Sequence, residues 1–294
     1  MEDENSNRFR LAWSQLIGLS RSPEPTAEIR RYPPLRNFVA DILAEGRRKK
    51  IAHITFEADI SGIRERLAEY RRQTGEAVSI TSYIAKSYAC ALAENTRMQA
   101  YRLGRSRLIS FDDVDLAFMV ERDADGEPQP VFYIVRAAQK KTAQEIHKEL
   151  QVAKQVPLGT TGPISALELQ FFLLPRFVRR IVWFFIRRNP YWFKSVAGTA
   201  GLTSFGMHTS GAAIGLPITP MTLTLTVGAI EKKLALHDGA VVEREVIHMN
   251  ISMDHDIIDG APSMRFANRL KEILQLGTAL APAPPAQESK QQRL

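Results

Sequence analysis

One imidazole stands where this chain could do proton chemistry. His255 follows the run Val246-Ile247-His248-Met249-Asn250-Ile251-Ser252-Met253-Asp254 and precedes Asp256-Ile257-Ile258-Asp259-Gly260. Val246 to Met253 alternates enough to predict a half-buried strand. Asp259, Gly260, Ala261 and Pro262 then predict a helix start, with an acidic N-cap and proline in the first turn. A loop between a strand end and a helix start can hold an imidazole in fixed geometry beside a cleft. Histidine titrates near neutral pH, so it is the side chain best matched to take a proton and return it. Other chemistry is poorly represented. Cys90 is the only cysteine; it falls in a predicted buried helix and reads as core, and its solitude excludes an intramolecular disulfide and points to a reducing compartment. A Gly-x-Ser-x-Gly nucleophile elbow is absent, and Thr209-Ser210-Gly211 lacks that frame. His248 lies too far along the strand to share a metal with His255 on sequence grounds. Zinc spacings, phosphate loops and nucleic-acid motifs are also absent, so neither a metal nor nucleic acid is expected.

The elements that must position His255 can be read along the chain. Residues 1–35 read as an N-terminal arm, broken by Pro23, Pro25, Pro33 and Pro34. Ile51 to Ala58 predicts a strand, entered through Arg47-Arg48-Lys49-Lys50. Ile60, Ile63, Leu67 and Tyr70 mark an amphipathic helix ending at Gly75. Ser79 caps a second helix carrying Ile80, Ile84, Ser87, Tyr88 and Ala91. Arg102 to Val120 predicts paired strands with Gly104 at a turn, and Asp123-Ala124-Asp125-Gly126 turns before the strand Val131 to Val135. Thr142-Ala143-Gln144-Glu145 is a capping box. Asp238-Gly239 between apolar runs predicts a hairpin. In the last helix Met264, Ala267, Leu270, Ile273 and Leu274 are expected to share a buried face. Residues 279–294, with Pro282, Pro284 and Pro285, read as a disordered tail. Strands and helices mixed in this order predict an α/β sandwich.

The run Asp254-His255-x-x-x-Asp259-Gly260 resembles the Asp-His-x-x-x-Asp-Gly signature of the dihydrolipoyl acyltransferases of 2-oxo acid dehydrogenase complexes. Chloramphenicol acetyltransferases share its His-x-x-x-Asp-Gly part. The continuation Gly260-Ala261-Pro262-x-x-Arg265-Phe266-x-x-Arg269-Leu270-Lys271 and the Arg-Lys-x-Ile-Ala-like entry at 48–52 extend the likeness, which covers most of residues 36–278. Peptide-synthetase condensation domains, by contrast, usually carry a second histidine where Asp254 stands. The resemblance implies a chloramphenicol acetyltransferase-like two-layer sandwich, a mixed sheet with helices packed on it, spanning 36–278. It implies an acyltransferase that moves an acyl group between CoA and a thiol, hydroxyl or amine, with CoA or acyl-CoA as substrate and His255 as general base. Aligning on Gly206-Met207 puts Thr203 at the family's oxyanion serine and Ser204 at the following asparagine, so a Thr203 or Ser204 hydroxyl is expected to stabilise the oxyanion. Direct transfer without a covalent acyl-enzyme fits this set. The resemblance further implies a homotrimer with sites between subunits, His255 from one copy and Thr203 from its neighbour. Asp259 is expected to act structurally, as N-cap beside Gly260 and as ion-pair partner of Arg47 or Arg48. Asp256 stands where many relatives have arginine.

Two departures shape the expectations. Nothing upstream resembles a lipoyl domain, so no lipoyl attachment in this chain is expected and a lipoyl-bearing partner protein would have to supply that arm. A non-catalytic scaffold or assembly protein keeping the acyltransferase fold is therefore the second reading. The other departure is 165–194, where Phe171, Phe172, Phe177, Trp183, Phe184 and Phe185 alternate with Arg176, Arg179, Arg180, Arg187 and Arg188. The expected form is a helix or helix pair with its apolar side on the core and its arginines outside. The alternative is peripheral contact with an anionic membrane. The net charge of +7 suits anionic ligands or such a surface. An acidic start without an apolar core argues against a signal peptide, and no run is clean enough to span a bilayer, so a cytoplasmic location is expected.

Overall fold

The computed structural model describes residues 32–33, 36–124, 127–155, 166–205 and 212–280. The chain divides into two compact units, Met1–Pro33 and Pro34–Leu294. The elements of the second begin with α1 (Arg36–Gly46), β1 (Ile51–Asp59), α2 (Ser61–Thr74), α3 (Ile80–Glu94), β2 (Tyr101–Leu103), β3 (Arg107–Ile109), β4 (Leu116–Ala124) and β5 (Glu127–Val135). They continue with α4 (Ala143–Gln155), α5 (Ala166–Leu173), α6 (Arg176–Ile186), α7 (Pro190–Ala197), β6 (Ala200–Ser204), β7 (Leu223–His237), β8 (Ala240–Asp254) and α8 (Gly260–Leu276). The expected arm and tail, apart from Tyr32, Pro33, Ala279 and Leu280, lie outside the described residues, as do Thr209-Ser210-Gly211 and the tip of the β4–β5 turn. Ala279 is buried against the core, so ordered chain runs past the expected start of the tail.

Six strands form one mixed sheet in the order β1-β8-β7-β6-β4-β5. The β4–β6 and β6–β7 pairs are parallel and the rest antiparallel. Local signals account for most of the elements. The Ser79 hydroxyl accepts the Ser82 N–H at 3.1 Å. The capping box closes reciprocally, Glu145 N–H to the Thr142 hydroxyl at 3.1 Å and Thr142 N–H to the Glu145 carboxylate at 2.7 Å. Asp238 and Gly239 both take positive φ, 50° and 80°, as a type I′ hairpin requires. That turn joins β7 to β8, 15 residues each, with a bulge between Val227 and Ile230.

One face of the sheet is covered by α3, α4 and α8, with α2 alongside. Tyr83, Ile84, Tyr88 and Leu92 of α3 have no solvent contact, so this helix is the middle of that layer. In α8 the inward stripe is Ser263, Phe266, Ala267, Leu270, Ile273 and Leu274. Met264 was expected on it but is exposed; it lies one residue, about 100°, off the stripe, and Phe266 fills the place.

The other face carries α1 and the helices α5–α7 at its β4–β5 end. Phe172 and Trp183 pack inward there as expected, joined by Phe193. The arginines do not all stay outside, which corrects the expectation. Arg179 is buried and pairs with the buried Asp41 of α1 at 2.7 Å, and Arg187 meets Glu45 at 3.4 Å. Phe177, Ile181 and Phe185, spaced by four, face solvent instead. The carboxylates on α1 are the reason: two cations of the insert neutralise them, which turns the opposite, apolar stripe of α6 outward. Among the described residues no helix is long and apolar enough to cross a membrane.

Candidate active site

His255, in a turn closed by three backbone hydrogen bonds, occupies the first position after β8. Its N–H donates to the Lys50 carbonyl at 2.9 Å, while Ile257 and Ile258 N–H both donate to the Asp254 carbonyl at 3.0 Å. Asp254 itself is buried, pairs with Lys49 at 2.8 Å and ties its N–H to the Thr222 carbonyl of the neighbouring strand at 2.9 Å. The imidazole therefore stands half-exposed on a rigid platform. Beside it Lys50 bonds Asp256 at 2.8 Å, and that hydrogen bond holds the Asp256 carboxyl below the usual carboxylate range. The charge of Asp256 is thus locally neutralised. Beneath the platform Tyr101 donates to the Gly198 carbonyl at 3.0 Å, and burial pushes its phenol upward. Gly198 takes φ +74°, and a Cβ there would lie 2.6 Å from the Asp115 carbonyl oxygen, so only glycine opens this route into β6.

Two expectations about Asp259 are corrected. It occupies the N-cap position of α8 but makes no side-chain capping bond. Its carboxylate is largely exposed, with His255 Nδ1 at 4.0 Å, beyond hydrogen-bond length. Neither arginine pairs with it: Arg48 meets Glu45 at 3.4 Å, and Lys49 and Lys50, one and two residues further on, supply the cations of this loop. Gly260 begins α8 as expected. Burial pushes the Cys90 thiol upward, against a nucleophilic role. His248 sits with Glu231 at 2.9 Å and Glu57 at 3.4 Å, the one grouping of metal-ligand types among the described residues. Lys233 already bridges both carboxylates there, at 2.5 and 2.9 Å.

Thr203 lies on β6, paired with Thr226 of β7, which in turn pairs with Asn250 of β8. Ser204 pairs with Val227, whose side chain is buried on the helix-covered face. Thr203 rather than Ser204 therefore points to the open face, where it lines an apolar trough of about 300 Å³ with Ile42, Met119 and Phe132. Sequence reasoning missed its row-mates: Thr226 Oγ1 and Asn250 Oδ1 are buried without a hydrogen-bond partner among the described residues, an uncommon state that asks for an explanation. Within one chain Thr203 and His255 are not brought together. Five residues along β8 and two strand spacings across separate them, roughly 20 Å by strand geometry.

The mixed sheet, with a helical layer on one face and a histidine turn at the end of a long hairpin strand, defines a chloramphenicol acetyltransferase-like α/β sandwich fold. Superposition on dihydrolipoamide acetyltransferase of Azotobacter vinelandii gives a TM-score of 0.65 at 16% identity, covering 89% of this chain and 98% of that one. The cubic core of a pyruvate dehydrogenase multienzyme complex gives 0.65 at 16% identity with the same coverage. The family model described as 2-oxoacid dehydrogenases acyltransferase (catalytic domain) matches residues 196–281. The lipoamide acyltransferase component of the branched-chain alpha-keto acid dehydrogenase complex of Bacillus subtilis is 23% identical over 208 residues, 70% of this chain and 41% of that protein. The chain spans less than two thirds of the length of the curated relatives it matches.

Proposed function

We propose that the protein transfers an acyl group between a CoA thioester and a thiol, hydroxyl or amine acceptor, in a homotrimer whose sites lie between copies. The observation that carries this is the division of the machinery. His255 is rigidly mounted and open to solvent, while Thr203 and the unmatched Thr226 Oγ1 and Asn250 Oδ1 beside it lie far away on the same chain, so a second copy must complete each site. In that site the His255 imidazole takes the proton from the acceptor as the acceptor atom attacks the thioester carbonyl. The Thr203 hydroxyl donates to the oxyanion, a contribution of roughly 3–4 kcal/mol for such a donor. Collapse expels the CoA sulfur, which receives the proton back. The Azotobacter vinelandii enzyme supports the assignment. The serine and histidine studied for its mechanism stand 52 positions apart, the separation of Thr203 and His255, and its asparagine stands where Asp259 does. A lipoyl group on a separate protein is one acceptor that fits.

The outward stripe of α6 supports contact with an anionic membrane surface: Phe177, Ile181 and Phe185 are exposed and Arg176, Arg180 and Arg188 flank them. The catalytic reading is tested by His255→Ala. Turnover of acetyl-CoA with a dithiol acceptor should fall at least about 100-fold, within the usual range for loss of a general base, with the circular dichroism spectrum and oligomer size unchanged. Wild-type activity in a folded H255A oligomer would end the assignment.

A further inference from the structure

Helices α5–α7 border a half-open cavity of about 760 Å³ against β5, a size found in small-molecule sites. Its walls are mainly apolar, with Phe132 and Ile134 from β5, Phe171 from α5, and Val182 and Ile186 from α6. Helix α6 is thus apolar on two flanks: Val182 and Ile186 line the cavity, while Phe177, Ile181 and Phe185 face solvent. Polar side chains on the wall are few. The Tyr133 hydroxyl is committed to Glu149 at 3.0 Å and the Ser195 hydroxyl to the Trp192 carbonyl at 2.7 Å, and Gln170 is exposed, so water serves its amide. Arg136 is different. Its Nη1 donates to Asp115 and the Lys194 carbonyl, and its Nη2 to the Ser195 carbonyl, which leaves Nε–H and one Nη2–H of its five donors for a further acceptor. Its charge is only partly matched as well. Arg136 and Lys194 share one oxygen of the buried Asp115, at 2.9 and 3.5 Å, so two cations meet one carboxylate at this edge of the cavity.

We propose that this cavity is a binding site for a fatty acid: one alkyl chain lies against the apolar walls, and its carboxylate accepts from Arg136 at the edge. The lining supplies the burial that an alkyl chain gains on leaving water. The residual positive charge selects an anionic head, and a guanidinium with two donors left suits a carboxylate. The site goes beyond the acyl-transfer reading and does not rest on it, since neither His255 nor Thr203 lines the cavity.

The test is calorimetric titration of the full chain at low salt with octanoate, decanoate, dodecanoate and dodecyltrimethylammonium, each below its micelle concentration. Affinity should rise about fourfold per added methylene from octanoate to dodecanoate. The ammonium chain, of the same length but cationic, should bind at least about tenfold more weakly than dodecanoate, the value of one charge-assisted hydrogen bond. Arg136→Gln should abolish that head-group preference and keep the chain-length effect; the two dodecyl ligands judge the head group on the wild type if this variant does not fold. Val182→Trp should weaken dodecanoate roughly tenfold or more by filling the cavity. Val196→Trp, at a partly exposed position on the wall, should do the same if Val182→Trp fails to fold. Ile181→Asp with Phe185→Asp, on the outer flank of α6, should leave binding unchanged, as should His255→Ala. Absence of saturable dodecanoate binding, equal binding of the ammonium chain, indifference to both tryptophan fillers, or loss of binding in the outer-flank variant overturns the inference and leaves the acyl-transfer reading standing.

Discussion

Replacing Arg179 by methionine probes how the insert is held. Arg179 and Asp41 have only 5% and 8% of their side chains exposed. The guanidinium reaches both carboxylate oxygens, at 2.7 and 3.4 Å, and also the Leu174 carbonyl at 2.6 Å. Removing it strands a carboxylate in the interior, which typically costs about 3–5 kcal/mol. Because both groups are buried, no discount for solvent screening applies. Asp41→Leu alone leaves the cation stranded and should cost a similar amount. The double variant removes both charges and fills the space with apolar atoms, so it should return to within about 1 kcal/mol of wild type or better. Urea unfolding followed by circular dichroism and Trp fluorescence reads all four proteins as a double-mutant cycle. Breaking the solvent-facing Lys50–Asp256 pair serves as the control and should leave the curve in place. Single variants whose costs simply add, or an Arg179→Met within 0.5 kcal/mol of wild type by the usual scatter of surface substitutions, would refute the reasoning.

Two further outcomes follow from the same coordinates. Hydrogen bonding from Arg269 holds the Glu94 carboxyl below the usual range, so this pair stabilises the protein above the unfolded carboxylate value, about 4.3. That stability is lost as pH falls through the lower folded value. Arg269→Gln should therefore lower the urea midpoint at pH 6 and flatten its decline between pH 5 and 3; parallel declines would reject the linkage. For the outer stripe of α6, flotation with anionic vesicles at low salt should carry the wild type, and added salt or Ile181→Asp with Phe185→Asp should release it, at unchanged thermal stability. Wild type that stays in the soluble fraction, or variants that lose a trimer contact instead, would remove the membrane from the account.

Much of the framework was legible because its signals are local. The Asp238-Gly239 hairpin, the Ser79 cap and the Thr142–Glu145 box each need only neighbouring residues, and the structure forms all three. His255 was readable for the same reason, as a strand-to-helix junction in a short signature. The insert was not, because its orientation depends on Asp41 and Glu45, more than a hundred residues away in sequence. With arginines and aromatics on every side of α6, periodicity alone does not choose a face. The Arg47 or Arg48 pairing failed on a smaller scale: the strand register brings Lys49 and Lys50, not the arginines, to the end of β8. Thr226 and Asn250 carry no motif, and only the folded row Thr203–Thr226–Asn250 across three strands shows that Thr226 Oγ1 and Asn250 Oδ1 are unmatched.

Mixing the two halves of the machinery tests the central claim most directly. His255→Ala and Thr203→Ala chains, each impaired alone, are unfolded together, refolded as an equal mixture and assayed for acetyl transfer. If each site takes His255 from one copy and Thr203 from its neighbour, random assortment restores both groups in about one site in four. The account predicts recovery of about a quarter of wild-type activity; a mixture no more active than the average of the two separate variants would contradict it.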